Sequence, residues 1–211
     1  MAVPIPYPDL DPELEPDNFN PDDIIIANPT KVKVPVLKKL TNSLEARLRK
    51  DLMECNSLNP DLIKCTRVQA NQWDVLLKPL PGQQFYRSFQ EFKRQNNYKE
   101  DGIHLIVLFP EDYPNQVPFV YNSTPILSAD HIFNGGFCIS SLGKKFWTPT
   151  LSVCQPLQTI CDFILYAPDV EVQKGTNSFS SALGSYMSIF TRWGTAVNTW
   201  GGPPDWVRNL N

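Results

Sequence analysis

Proline constrains this chain more than any other residue type, because it lacks a backbone N–H and fixes φ near −65°. The sequence has 211 residues, of which 20 are prolines. Eight of them lie within residues 1–35, and others end apolar runs at Pro110 and Pro168. A pair at positions 203 and 204 follows two glycines and stops a helical pattern. The prolines therefore mark where the predicted elements begin and end.

Residues 1–35 are predicted to form an acidic, proline-rich extended arm. Prolines at 4, 6 and 8 favour extended backbone, and the first 24 residues carry seven acids and no Lys or Arg. That charge pattern is the opposite of a signal or transit peptide. The apolar run Ile24–Ile26 indicates an arm that lies along this domain or a partner, and a solvated tail is the alternative.

Leucines spaced by three and four residues predict an amphipathic helix over about 36–54. Its other faces are basic and include Lys38 and Lys39. Such a face is either merely solvated or a docking surface. The leucines of the stripe are Leu37, Leu40, Leu44, Leu48 and Leu52.

Several strands and then two helices follow, an order that predicts an α+β domain with a four-stranded antiparallel meander. Residues 83–101 are polar and aromatic and are interpreted as an elaborated hairpin connection. The core is expected to span 36–200, with an insertion at about 83–101 and a C-terminal tail at 201–211. The predicted strands are Cys65–Val68, Trp73–Leu77, Ile103–Phe109 and Phe119–Tyr121, and the predicted helices run from Ser152 to Pro168 and over 179–199.

Composition excludes several classes of protein. A net charge of −3 and a pI near 5.4 give no general attraction to nucleic acid or anionic membranes. No apolar run approaches the roughly 18–20 residues needed to span a bilayer. Five cysteines without a C-x-x-C pair argue against a disulfide framework, and two histidines leave few ligands for zinc. We expect no metal or cofactor, and a location in a reducing intracellular compartment, the cytoplasm.

The stretch 130–139 presents a cysteine next to a tight turn. Asn134 and two glycines tolerate positive φ, and the apolar neighbours Phe137 and Ile139 anchor Cys138 at the edge of the turn. A thiol in this position can meet a large partner. Most lone cysteines, however, act as small buried hydrophobes. Local chemistry alone leaves both interpretations open.

Four motifs in order resemble the catalytic core of ubiquitin-conjugating enzymes. The segments Phe109–Pro114 and Asn134–Cys138 are similar to the strand-end and active-site motifs of that family. Trp147–Pro149 resembles its Trp-Ser-Pro loop, and residues 151–168 run without a gap along its second helix. Residues 37–40 are similar to the start of its first helix. The resemblance covers about 36–200 and implies the corresponding fold.

The resemblance also implies a chemistry and a set of partners. A charging enzyme would transfer the C-terminus of ubiquitin, or of a ubiquitin-like modifier, onto Cys138 as a thioester, and a ligase thiol or a lysine would then attack it. Glu171 falls where many members of the family carry an acid that orients the lysine. The helix with Lys38 and Lys39 matches the face that meets the charging enzyme. The loops that meet ligases match Pro114, Asn115, Thr148 and Pro149.

One position departs from the family pattern. The gap-free match puts Ser128–Asp130 where the family carries His-Pro-Asn. An ionised Asp130 accepts hydrogen bonds but cannot donate one to an oxyanion, and the loss of such a donor costs roughly 3 kcal/mol. His131 is the next residue, and it would need a local shift of the chain by one position to take the place of the missing donor. The alternative to an enzyme is an inactive scaffold subunit of a larger complex, held through residues 1–35 and 83–101.

Overall fold

The computed structural model describes residues 40–192 and 200–210. The predicted arm, Lys38 and Lys39 lie outside the described residues, as does the end of the last predicted helix beyond residue 192. The described residues form an α+β fold with an antiparallel sheet and several helices, as predicted.

Helix α1 spans Asn42–Leu58 and packs against the first strand and the third helix. It begins later than the sequence pattern predicts because Thr41 caps it, with its hydroxyl oxygen accepting from the N–H of Leu44 at 3.2 Å. Leu44 and Leu48 are buried, as the stripe of leucines predicts.

The predicted four-stranded meander is confirmed. Each strand pairs antiparallel with the next, and the inward side chains of the middle strands, such as Trp73, Val75 and Leu105, are fully buried. The strands of the meander are β1 Ile63–Gln69, β2 Gln72–Leu77, β3 Ile103–Leu108 and β4 Phe119–Thr124. Two short strands, β6 Ile132–Phe133 and β7 Gly136–Phe137, extend the sheet to six, in the order β1-β2-β3-β4-β7-β6.

Four further strands are only two or three residues long. β6 and β7 form a hairpin at the edge of the main sheet, and β5 and β8 form a separate two-stranded sheet. Their bounds are β5 Ile126–Ser128, β6 Ile132–Phe133, β7 Gly136–Phe137 and β8 Glu171–Gln173.

Residues 83–101 connect the antiparallel neighbours β2 and β3, as an elaborated hairpin connection should, but they contain a helix that was not predicted. Residues Gln84–Asn96 form helix α2, which ends at Asn97 in a left-handed conformation. Its buried face carries Phe85, Phe89 and Phe92 at helical spacing. Through this face α2 packs against helix α3 (Cys154–Tyr166) and strand β8.

Three helices complete the described part of the chain. They are α3 Cys154–Tyr166, α4 Phe179–Arg192 and the short α5 Asp205–Arg208. The stripe predicted for the first of them, including Leu157, Ile160 and Ile164, is buried. Helix α4 packs on β4, β6 and β7. Within residues 40–192 and 200–210, every helix is too short or too polar to cross a membrane.

Two of the five cysteines pair, although their number and spacing argue against a disulfide framework. Cys55 of α1 and Cys154 at the start of α3 form a disulfide, with Cα atoms 5.3 Å apart, which lies within the normal range for such bonds. The pairing was hidden by a sequence separation of 99 residues. Cys65, Cys138 and Cys161 are free and buried.

Residues 200–210 return to the core beside the segment that follows Cys138. The backbone N–H of Lys145 donates to the carbonyl of Trp200 at 2.9 Å. The Trp206 indole donates to the carbonyl of Val117 at 2.9 Å, and Lys144 pairs with Asp205 at the surface. These contacts hold the loop between Cys138 and α3 against the end of the sheet.

Candidate active site

Cys138 follows a tight hairpin formed by β6 and β7. Asn134 and Gly135, at its tip, have φ of 47° and 91°, the positive values that a two-residue type I′ turn requires. Beyond the paired strands, the N–H of Cys138 donates to the carbonyl of His131 at 2.9 Å. The pairing therefore continues to the cysteine and fixes its backbone.

Helix α4 presses closely on this hairpin. A Cβ atom added to Gly136 would lie 3.1 Å from both the carbonyl oxygen of Ala182 and the backbone nitrogen of Tyr186. The amide of Asn134 donates to the Ser185 hydroxyl at 3.2 Å. Only glycine allows this approach without displacement, so the hairpin is held rigidly beside the helix.

The Cys138 thiol is free but largely enclosed. The residue is 6% exposed, and burial raises the pKa of its thiol to about 11, because desolvation disfavours the thiolate. At neutral pH the isolated chain therefore holds a protonated thiol. Reaction as a nucleophile requires another group to remove the proton.

Asp130 and Glu171, both predicted site residues, lie on neighbouring segments. Ser128 of β5 pairs with Glu171 of β8. Two residues beyond this pair, the N–H of Asp130 donates to the side-chain carboxylate of Asp169 at 2.9 Å. All three acids are exposed. The β5–β8 pair thus gathers carboxylates next to the turn that leads into the Cys138 hairpin.

Helix α2 packs against the strand that carries the acidic residue Glu171. Its contacts with α3 and β8 place the inserted helix against the strand that carries Glu171. The ring of Tyr98, just beyond the helix, meets Phe89 edge-on and Phe92 at a tilt, which ties the end of the insertion to its buried face. The insertion therefore belongs to the scaffold of the site.

The residues predicted to meet a ligase lie on two loops joined by a hydrogen bond. The indole of Trp147 donates to the carbonyl of Pro114 at 2.7 Å. Pro114 is half-buried, whereas Asn115, Thr148 and Pro149 are exposed. The two loops therefore form a continuous surface, fixed by the buried tryptophan.

A buried ion pair on α1 fastens the same loops. Arg47 binds both carboxylate oxygens of Asp51 at 2.9 Å, and Asp51 also accepts from the hydroxyl of Tyr113. The remaining nitrogens of Arg47 donate to the carbonyls of Pro149 and Leu151. Although burial lowers it, the pKa of Arg47 is raised overall by its hydrogen bond to Asp51 and its interactions with Tyr113.

His131 lies in the turn that leads from Ala129 into β6, and its backbone carbonyl accepts the N–H of Cys138 at 2.9 Å. Its ring is exposed and lies edge-on to Phe163 of α3, with ring centroids 5.5 Å apart. Sequence reasoning missed the backbone bond to Cys138, and it missed Asp169. The signal for the first was present, since an Asn-Gly turn predicts a hairpin whose partners can be counted outward.

Within the described ranges, no three His, Cys, Asp or Glu side chains gather where they could hold a metal ion. The structure brings together Cys138, the His131 backbone and the segment of Asp130 on one side. Pro114, Asn115, Thr148 and Pro149 gather on another.

No family model matches the chain. It is similar to solved structures of ubiquitin-conjugating enzymes. For one from Plasmodium falciparum, the identity is 21%, the match covers 66% of this chain and 94% of that one, and the TM-score is 0.46. For one from Plasmodium vivax, the identity is 28%, the match covers 56% of this chain and 98% of that one, and the TM-score is 0.41. For one from Agrocybe aegerita, the identity is 24%, the match covers 60% of this chain and 84% of that one, and the TM-score is 0.44.

Proposed function

We propose that this chain carries ubiquitin, or a ubiquitin-like modifier, as a thioester on Cys138 and passes it to a ligase cysteine or a lysine. The observation that carries the proposal is the hairpin. It holds a free thiol at a fixed backbone position, and its other strand leads directly to Asp130. A thiol suits such a carrier because its thiolate is both a good nucleophile and a good leaving group.

The first transfer exchanges one thioester for another. The Cys138 sulfur attacks the C-terminal carbonyl carbon of the modifier on the charging enzyme, so a new S–C bond forms. The S–C bond to the charging enzyme breaks, and that enzyme's thiol leaves with the proton that Cys138 has lost. Because burial raises the pKa of Cys138 to about 11, a bound partner or a neighbouring side chain must help to remove this proton.

Asp130 favours a thiol as the second acceptor. An ionised carboxylate cannot donate to the oxyanion that forms when an amine attacks, and the carboxylate of Asp169 adds a second negative charge to the same segment. A ligase cysteine would be less sensitive to the missing donor. In this proposal the ligase docks on Pro114, Asn115, Thr148 and Pro149, and the charging enzyme on the helix after Lys38 and Lys39. If a lysine attacks, Glu171 orients it.

The second candidate is an inactive scaffold of the same fold. It is favoured by the enclosed, protonated Cys138 and by the Asp169 carboxylate that binds the backbone N–H of Asp130. In that role, residues 1–35 and 83–101 would join other subunits of a complex. One face of α2 is already buried within this chain, so the whole insertion cannot serve as an exposed docking surface.

The deciding assay incubates the chain with charging enzyme, ATP and a panel of modifiers, followed by non-reducing electrophoresis. The expected product is an adduct cleaved by both thiols and hydroxylamine, which separates a thioester from a mixed disulfide. Cys138→Ala should abolish it. Cys65→Ser, which alters another buried free cysteine, is the matched control and should keep it.

Absence of the adduct with every modifier would reject the carrier in favour of the scaffold. The cytoplasmic location stays a prediction. The Cys55–Cys154 disulfide makes that location testable, because such bonds are rare in the reducing cytosol.

A further inference from the structure

One face of helix α1 fastens the segment 149–154, which leads into α3. Arg47, Asp51 and Cys55 follow one another at intervals of four residues, so their side chains lie on the same face of the helix. Arg47, oriented by Asp51, donates to two backbone carbonyls of the segment. Cys55 forms the disulfide with Cys154. The disulfide is therefore the covalent link in a row of contacts that holds this segment against α1.

The surroundings of Cys154 also suit a reduced sulfur. Cys154 is the first residue of α3, and the partial positive charge at a helix N-terminus stabilises a thiolate. The hydroxyl of Ser152 donates to the Cys154 sulfur at 3.0 Å. The backbone carbonyl of Asp51 lies 3.6 Å from the same sulfur, where it accepts a hydrogen bond from a protonated thiol. Stabilisation of the reduced form makes a disulfide easier to reduce.

We propose that the Cys55–Cys154 disulfide is a reversible redox site whose reduction by a dithiol loosens the loop 147–152. This role rests on the proposed function, which places ligase docking on Thr148 and Pro149 of that loop. The oxidised chain holds the loop through the disulfide and through Arg47. The reduced chain loses the covalent link and keeps the hydrogen bonds of Arg47, so the order of the docking surface depends on the redox state.

The exchange balances in atoms and electrons. A thiolate of the dithiol attacks the sulfur of Cys55, the S–S bond breaks, and Cys154 leaves as the stabilised thiolate. The second thiol of the reductant then attacks the mixed disulfide and releases Cys55. Two electrons and the two thiol protons pass to the cysteines, and the reductant becomes a disulfide. Because both cysteines are buried, the attack requires a local opening between α1 and α3.

Hydrogen exchange followed by mass spectrometry tests the loosening of the loop without any partner protein. The full chain is compared before and after treatment with dithiothreitol, and the gain of two hydrogens verifies reduction. Exchange within 147–157 should accelerate by about tenfold or more, a small part of what a bridge across so long a loop contributes. Exchange in the hairpin 132–138 should change less. Unchanged exchange within 147–157, or equal acceleration in both segments, would overturn the inference.

Two variants assign the effect to this disulfide. Cys55→Ala should show the fast exchange of 147–157 with and without dithiothreitol. Cys65→Ala, which alters another buried cysteine that is free, is the matched control and should keep the response to the reductant. A response that persists in Cys55→Ala would contradict the assignment. The comparison of the unaltered chain in its two redox states stands even if a variant fails to fold.

A redox titration tests the site at Cys154. In a buffer of reduced and oxidised dithiothreitol, Ser152→Ala should shift the equilibrium toward the disulfide by about twofold to tenfold, the contribution of one hydrogen bond. Ser152→Thr keeps the hydroxyl and should restore the equilibrium. An equilibrium unchanged in Ser152→Ala would overturn the stabilisation of the reduced form. Failure to form the Cys138 thioester would contradict the proposed function alone, because none of these measurements depends on charging.

Discussion

The backbone N–H of Asp130 donates a 2.9 Å hydrogen bond to the Asp169 carboxylate. This bond lies just beyond the pairing between β5 and β8, so the backbone of Asp130 is held by the side chain of a second acid. Both side chains are exposed. The segment beside the Cys138 hairpin is therefore held in place by a hydrogen bond and also carries two acids. The fixed position suits a carrier of a modifier, whereas the acids suit an inactive scaffold.

Asp130→Asn should raise the rate at which a charged Cys138 discharges onto free lysine, by about tenfold to a hundredfold, because the amide restores a donor for the oxyanion. Single-turnover discharge at pH 7 measures this. Asp162→Asn, which neutralises an exposed acid on α3, is the control and should have little effect. Equal rates in Asp130→Asn and the unaltered chain would remove Asp130 from the mechanism.

Gly136→Ala should destabilise the fold by about 1–3 kcal/mol, since the new methyl group would press on the backbone of α4 at 3.1 Å. Gly184→Ala provides the contrast. Gly184 lies within α4 with open space around its added Cβ, so the change should stabilise the chain by about 0.5–1 kcal/mol. Urea unfolding measures both, and a Gly136→Ala variant as stable as the unaltered chain would contradict the close packing.

Asp51→Ala should cost about 3 kcal/mol, because it leaves Arg47 and the Tyr113 hydroxyl without their buried acceptor. The surface pair of Glu45 with Arg67 is the comparison, and Glu45→Ala should cost at most about 1 kcal/mol. Chemical denaturation distinguishes the two. Similar small losses would mean that the buried network does not fasten the loops.

Reduction of the Cys55–Cys154 disulfide should lower the free energy of unfolding by up to about 4–5 kcal/mol, because the bond closes a loop of about 100 residues in the unfolded chain. Unfolding is measured with and without a reductant. Cys55→Ser should make stability independent of the reductant. A reductant effect of the same size in that variant would assign the loss to some other cause.

His104 contributes a pH-dependent part of the stability. Its hydrogen bond to Asp74 raises the pKa of the imidazole above its ordinary 6.5, so the contribution is complete below pH 6.5 and is lost as the pH rises through the raised value. The stability difference between the unaltered chain and Asp74→Asn should therefore shrink from pH 6 to pH 9. A difference that stays constant across this range would show that the pair does not titrate.

Local sequence patterns predicted the elements whose conformation depends mainly on their own side chains. The spacing of Leu44 and Leu48 and the apolar run of β3 indicate one buried face or one buried strand, whatever the rest of the chain does. The Asn-Gly turn likewise determines its own backbone. These features were predictable because their energetics are contained within a few consecutive residues.

Other elements depend on distant partners. β8 is three residues long and exists because β5 offers it an edge, and Cys55 meets Cys154 only after α1 and α3 pack. Helix α2 is a different case. Phe85, Phe89 and Phe92 repeat at helical spacing, so the signal for a helix was present within the segment interpreted as an elaborated hairpin connection.

The position of β8 and of residues 200–210 after Cys138 in the sequence has a consequence for synthesis on the ribosome. The Cys138 hairpin is complete once residue 138 has emerged, but its acidic neighbours require β8, and the loop after it requires residues 200–210. A nascent chain therefore holds its thiol in an unfinished setting until residues 200–210 are made. Premature termination would yield a chain with the cysteine present and its surroundings missing.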